Sequence, residues 1–92
     1  MPEVYMQIEW PNQQKDVVYS PSSIITSYFK SGDVMPLSAF EQKVTEALTQ
    51  ASGRVLAKFG YECTSAMGEI ARIHSIASLM EDKTKEVKIT SI

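Results

Sequence analysis

Early in this chain the apolar residues change their spacing, and that change restricts the folds open to it. Residues 3–10, "EVYMQIEW", put Val4, Met6, Ile8 and Trp10 on one side and Tyr5, Gln7 and Glu9 on the other. Such strict alternation marks a half-buried β-strand. Between residues 38 and 80 the apolar positions recur instead at three and four, the period of helices that bury one stripe. Strands followed by helices is the order of an α+β domain. The expected architecture is a small antiparallel sheet packed against one short and two long helices. At 92 residues the whole chain, 1–92, forms one domain, near the lower end of lengths that fold alone.

The local punctuation agrees. "PNQQ" turns the chain, because Pro11 fixes its own φ and Asn12 tolerates tight geometry, and "KDVVYS" returns as a second strand. The run "VVYSPSSIITSYF" then switches from strand to helix. Ser20 reads as the N-cap and Pro21 as the first helical residue, followed by Ile24, Ile25, Tyr28 and Phe29 on one stripe, with Gly32 as the stop. "SAFE" reads as a capping box in which Ser38 caps and Glu41 reaches back. Phe40, Val44, Ala47, Leu48, Ala51, Val55 and Phe59 extend that helix, with Gly53 costing about 1 kcal/mol relative to Ala. A further helix is expected over 64–80, with Met67, Ile70, Ile73, Ala77 and Met80 as its stripe. The connection "GYEC" is short enough to make the two long helices antiparallel. Residues 81–92 end in "EVKITSI", either an edge strand or a loose tail.

Composition narrows the function. Nine basic and eleven acidic residues give a net charge of −2, with no Lys or Arg cluster to neutralise a row of phosphates, which argues against nucleic acid. No apolar run spans a bilayer and no basic-then-apolar leader opens the chain, so no membrane role and a cytoplasmic location are expected. Cys63 is the only cysteine, leaving neither an intrachain disulfide nor a Cys-based zinc site.

Groups able to do chemistry are sparse. Cys63 lies in the turn between the long helices, where a helix N-terminus lowers a thiol's pKa. The one histidine, His74, is eleven residues further on, so a Cys–His pair within that helix cannot touch. A structural thiol is the plain reading and a reactive one the alternative. There is no HExxH, no glycine-rich phosphate loop and no acidic cluster with metal spacing, so no cofactor or metal is expected and catalysis by this chain alone is disfavoured. Tyr5, Trp10, Tyr19, Tyr28 and Tyr61 are many amphipathic aromatics for so short a chain. Arg72 points off its stripe toward Glu69, three residues back, and Arg54 sits at the edge of its own. Aromatics and arginine are enriched at interface hot spots, and equally at the edges of thin cores. A sheet this small leaves an exposed edge, which Tyr5 and Trp10 would make apolar, and a homodimer would close it.

Several segments occur together in one order: "WP" after the first strand, "YSPSSIITSYF", the Gly32, Pro36, Leu37 and Phe40 pattern, "ASGRV" and "KFGYECTSA". This set, covering residues 1 to about 77, resembles the short nitrogen-starvation response proteins encoded in nitrilase-associated gene clusters of bacteria. The resemblance implies a context of nitrogen limitation and nitrile or cyanide use, beside a nitrilase, a radical S-adenosylmethionine enzyme, an acetyltransferase, a flavoprotein and a synthetase-like protein. It carries over no catalytic residues. Tyr19, Ser20, Pro21, Ser22, Arg54 and Cys63 match its more characteristic positions and are candidates for a shared surface or pocket. The reading reached is a small cytoplasmic accessory protein that binds a cluster enzyme or its intermediate. A small-ligand or catalytic domain completed in a homo-oligomer is the alternative, and a nucleic-acid-binding regulator is third.

Overall fold

The computed structural model describes residues 3–59 and 64–92. Strand β1 (Val4–Glu9) and strand β2 (Lys15–Ser20) form the expected hairpin, in register from Val4 opposite Ser20 to Glu9 opposite Lys15. Its turn is closed by the Trp10 N–H on the Gln14 carbonyl at 2.8 Å and the Gln13 N–H on the Trp10 carbonyl at 2.8 Å. With no glycine available, Gln13 itself takes the left-handed conformation, φ 72°. That costs a non-glycine residue roughly 1–2 kcal/mol.

The strand-to-helix switch exists, but its cap is two residues later than the sequence suggests. Ser20 still pairs with Val4 in the ladder. Its hydroxyl donates to the Ser22 carbonyl at 2.7 Å and accepts the Ser22 N–H at 3.3 Å. Ser22 is the N-cap, accepting the Ile24 N–H, and it opens a single 3-10 segment, Ser23–Ser27, rather than two α-helical turns. Ile, Ile and Thr in a row, flanked by serines, are poor α-helix formers, and 3-10 geometry suits so short a run. Ile25 and Phe29 still reach the core.

Strand β3 (Val34–Pro36) lies in the segment that reads as a connection, and it leads directly into helix α1 (Leu37–Phe59). Helix α2 (Thr64–Ser78) and strand β4 (Glu86–Ser91) complete the chain. The sheet order is β2-β1-β4-β3, antiparallel throughout. Residues 86–91 are therefore a central strand, neither an edge nor a tail. Alternation in β4 sends Val87 and Ile89 inward and Glu86, Lys88 and Thr90 outward.

The capping box does not form. Leu37 opens α1 by donating its N–H to the Lys85 carbonyl at 2.8 Å, and Ser38 donates to the Lys83 carbonyl at 3.2 Å. The loop before β4 thus supplies the acceptors a cap would have offered. Glu41 is free to bind across helices instead.

Both helices cover one face of the sheet. Met6, Ile8, Trp10, Val18, Val87 and Ile89 meet Phe40, Val44, Leu48 and Ile73 in a single core. Trp10 packs edge-on to Phe40 with ring centroids 5.6 Å apart, and Phe29 lies 5.8 Å from the same ring. Trp10 is thus interior, 3% exposed, and contributes no edge surface. Met67, expected in the α2 stripe, points outward instead. α1 runs unbroken through Gly53, where nothing approaches the position of a Cβ.

Candidate docking face

Each sheet edge is already occupied or truncated. In β2, Val17 and Tyr19 turn their backbone groups away from β1, and side chains meet them there. The Val17 N–H donates to Asp16 Oδ1 at 2.7 Å, and the Val17 carbonyl accepts from Arg72 Nη2 at 2.9 Å. The Tyr19 N–H donates to Glu69 Oε2 at 2.9 Å. Arg72 also binds Glu69 Oε1 and Asp16 Oδ2, both at 2.8 Å, and Trp10 Nε1 donates to Asp16 Oδ2 at 3.0 Å. One guanidinium therefore joins α2 to an edge strand. At Arg72 the bond to Glu69 is the largest effect, and despite some burial the two carboxylates hold the guanidinium more firmly protonated. Burial alone would raise Asp16. Hydrogen bonds from Arg72, Trp10 and the Val17 amide, with the Arg72 charge, outweigh it and hold Asp16 below the usual carboxylate value. At the other edge, β3 is three residues long and ends in Pro36, which has no N–H to offer.

What remains open is the outer face of the sheet. Cross-strand register puts Tyr5 beside Tyr19, Gln7 beside Val17, Glu9 between Lys15 and Lys88, and Val34 beside Lys88. Tyr5 is 59% exposed, Val17 46% and Val34 48%. The Tyr5 and Tyr19 rings lie 5.5 Å apart at 58°. The Tyr5 hydroxyl donates to Glu3 Oε2 at 3.1 Å, and that bond to a carboxylate raises the phenol's pKa. Tyr5, Tyr19 and Val17 at one end thus give way to a row of alternating charge at the other, Lys15–Glu9–Lys88, with Val34 at its β3 end.

Comparison with known families matches residues 5–92 to the family described as nitrogen starvation-induced protein NitG. That match takes in nearly the whole chain. The chain belongs to the NitG family. No curated protein and no solved structure matches it. As a NitG-family member it is a small protein related to nitrogen starvation, and its α+β fold is the one its periodicities imply.

The candidate surface residues are not all placed alike. Ser20, Pro21 and Ser22 meet at the β2 corner, but their side chains are buried, and the two serines use their hydrogen bonds on the corner itself. Their part is to hold the turn. Tyr19 is half-buried on the outer face against Tyr5. Arg54 is exposed on α1, one turn beyond Ala51, the last described buried residue of that stripe. Cys63 lies outside the described residues, as does Tyr61.

A second polar cluster joins the helices. His74 Nδ1 is 3.0 Å from Glu41 Oε2, and its Nε2 is 3.1 Å from Thr45 Oγ1. Lys83 Nζ reaches Glu41 Oε1 at 3.4 Å and donates to the Ala77 carbonyl, closing the end of α2. Hydroxyl, imidazole and carboxylate stand in the order of a proton relay. Thr45, however, donates its hydroxyl to the Glu41 carbonyl at 2.7 Å, one turn back in α1. The cluster ties α1, α2 and the loop after α2 together. Among the described residues no three His, Cys, Asp or Glu could jointly hold a metal, and no helix is long and apolar enough to cross a membrane.

Proposed function

We propose that this NitG-family protein is a cytoplasmic docking protein of the nitrogen-starvation response, which binds an enzyme of a nitrilase-associated gene cluster rather than catalysing a step itself. One observation carries the reading. The outer face bears Tyr5, Val17 and Val34 uncovered, whereas Arg72, Asp16, Glu69, His74 and Glu41 are engaged in joining elements. A face with aromatic and β-branched side chains beside alternating charge suits a folded protein partner better than a small molecule, which needs concavity. Exposed Arg54 is a second contact in the proposal.

The test uses purified cluster enzymes, one at a time, over immobilised wild type, the Tyr5→Ala/Val17→Ser double variant and Arg54→Ala, with a thermal melt of each. One enzyme should bind the wild type, and the double variant should lose about tenfold or more in affinity, as hot-spot truncations do. The melts should stay close, because all three side chains are exposed. Unchanged binding by the double variant, or no enzyme bound by the wild type, would refute the docking face.

A further inference from the structure

The partners of His74 fix what each of its ring nitrogens must carry. Nδ1 lies 3.0 Å from Glu41 Oε2, and Nε2 lies 3.1 Å from Thr45 Oγ1. A carboxylate oxygen only accepts, so Nδ1 has to bring a proton. Thr45 has one hydroxyl hydrogen, and it is used on the Glu41 carbonyl at 2.7 Å. Toward the ring Thr45 Oγ1 therefore turns a lone pair, and Nε2 has to bring a proton as well. A neutral imidazole carries one N–H, and only the imidazolium carries two. Both contacts are made together by the charged ring alone.

Three elements meet at this ring. From α1 it faces Glu41 and Thr45, and Lys83 in the loop after α2 reaches the other Glu41 oxygen at 3.4 Å. The Lys83 carbonyl in turn accepts the Ser38 N–H at the start of α1. We propose that His74 is a protonation-operated latch between α1 and α2, closed by the imidazolium and slackened when the ring gives up either proton. A neutral ring protonated at Nδ1 keeps Glu41, but its Nε2 lone pair then faces the lone pair of Thr45, whose hydroxyl must leave the Glu41 carbonyl to meet it. A ring protonated at Nε2 keeps Thr45 and sets a lone pair against the carboxylate. Either way one of these hydrogen bonds is lost. His74 is the chain's one histidine, and histidine is the side chain that ordinarily changes charge between pH 5 and 8. Closed when protonated, the latch adds stability at the acid end of that range and loses it as the pH rises. The outer sheet face takes no part in it, so the latch stands independently of the docking proposal.

Urea denaturation at about pH 5.5 and about pH 8 tests this, with wild type and His74→Gln compared at each pH so that every other titrating group cancels. The wild type's advantage in folding equilibrium should shrink on the order of fivefold from the lower pH to the higher. That modest size follows from a ring side chain 48% exposed, where solvent screens the charge. A Thr45→Val background separates the latch from a plain surface ion pair, because it keeps the β-branch and removes the lone pair that demands the second proton. There the same His74→Gln comparison should lose most of its pH dependence, since a ring protonated at Nδ1 alone keeps its one remaining partner. A His74→Gln effect equal at both pH values would overturn the proposal. So would undiminished pH dependence in the Thr45→Val background, which would leave His74 and Glu41 an ordinary ion pair.

Discussion

At the scale of single residues Arg72 makes the connection of α2 to the β2 edge. Its i,i+3 partner Glu69 is legible from spacing, but Asp16 and the Val17 carbonyl are more than fifty positions away and no local pattern announces them. Arg72→Ala would leave Asp16 and Glu69 without their shared cation and would free the Val17 carbonyl on the β2 edge. Because the guanidinium side chain is 37% exposed, solvent screens the loss, and about 1–2 kcal/mol is expected in urea denaturation. A change of only a few tenths would show the network to be incidental. The same network makes stability depend on acid. Asp16 has a folded pKa below its unfolded one, so it adds stability that is fully present above about pH 4 and is lost as the pH falls through the folded value. Asp16→Asn should flatten the stability profile there while leaving its shape near neutrality alone, and an unaltered acid limb would contradict that. The serine corner shows how sequence reading is misled locally. Ser20 looks like the cap because Pro21 follows it, yet its pairing with Val4 keeps it in the strand and passes the cap to Ser22. Ser22→Ala should cost about 1 kcal/mol, the usual effect of a lost cap, read from the same denaturation curves.

At the scale of elements, long periodic segments were legible and short or non-local ones were not. The hairpin and both long helices follow from period alone, whereas "EVKITSI" reads equally as an edge strand or a tail. Strand β3 does not follow from it, because three residues between Gly32 and a proline carry no alternation to detect. Glu41 fits a capping box by sequence but binds His74 and Lys83, because loop carbonyls across the fold already accept from the start of α1. Placement within the sheet is likewise a long-range property. β4 pairs with β1 on one side and β3 on the other, so it joins the hairpin to the rest of the sheet. Removing residues 86–92 should therefore abolish cooperative folding instead of trimming an end. Thermal melts of the truncated chain would show no sigmoidal transition, whereas a retained transition would mean β4 is dispensable.

At the scale of the whole molecule, the arrangement separates what holds the protein together from what it can present. Charged and polar groups close the β2 edge, Pro36 and brevity blunt the β3 edge, and the helices cover the inner face. The outer face, with its Tyr5–Tyr19 pair, is left uncovered by the helices. An excess of amphipathic aromatics is legible in the sequence. Which of them reach the surface depends on the pleat: Trp10 and Tyr5 share one alternating run, whose direction sends the first into the core and the second to the surface. That same alternation supplies the most direct test of the docking reading. Val17 and Val18 are neighbours in β2 with opposite orientation, as Lys88 is to Val87 in β4, and Val34 shares the outer face. With methyl groups observed by NMR during titration with the partner enzyme, the resonances of Val17 and Val34 should shift or broaden while those of Val18 and Val87 hold still. Undisturbed Val17 and Val34 methyls in a saturated complex would contradict the account.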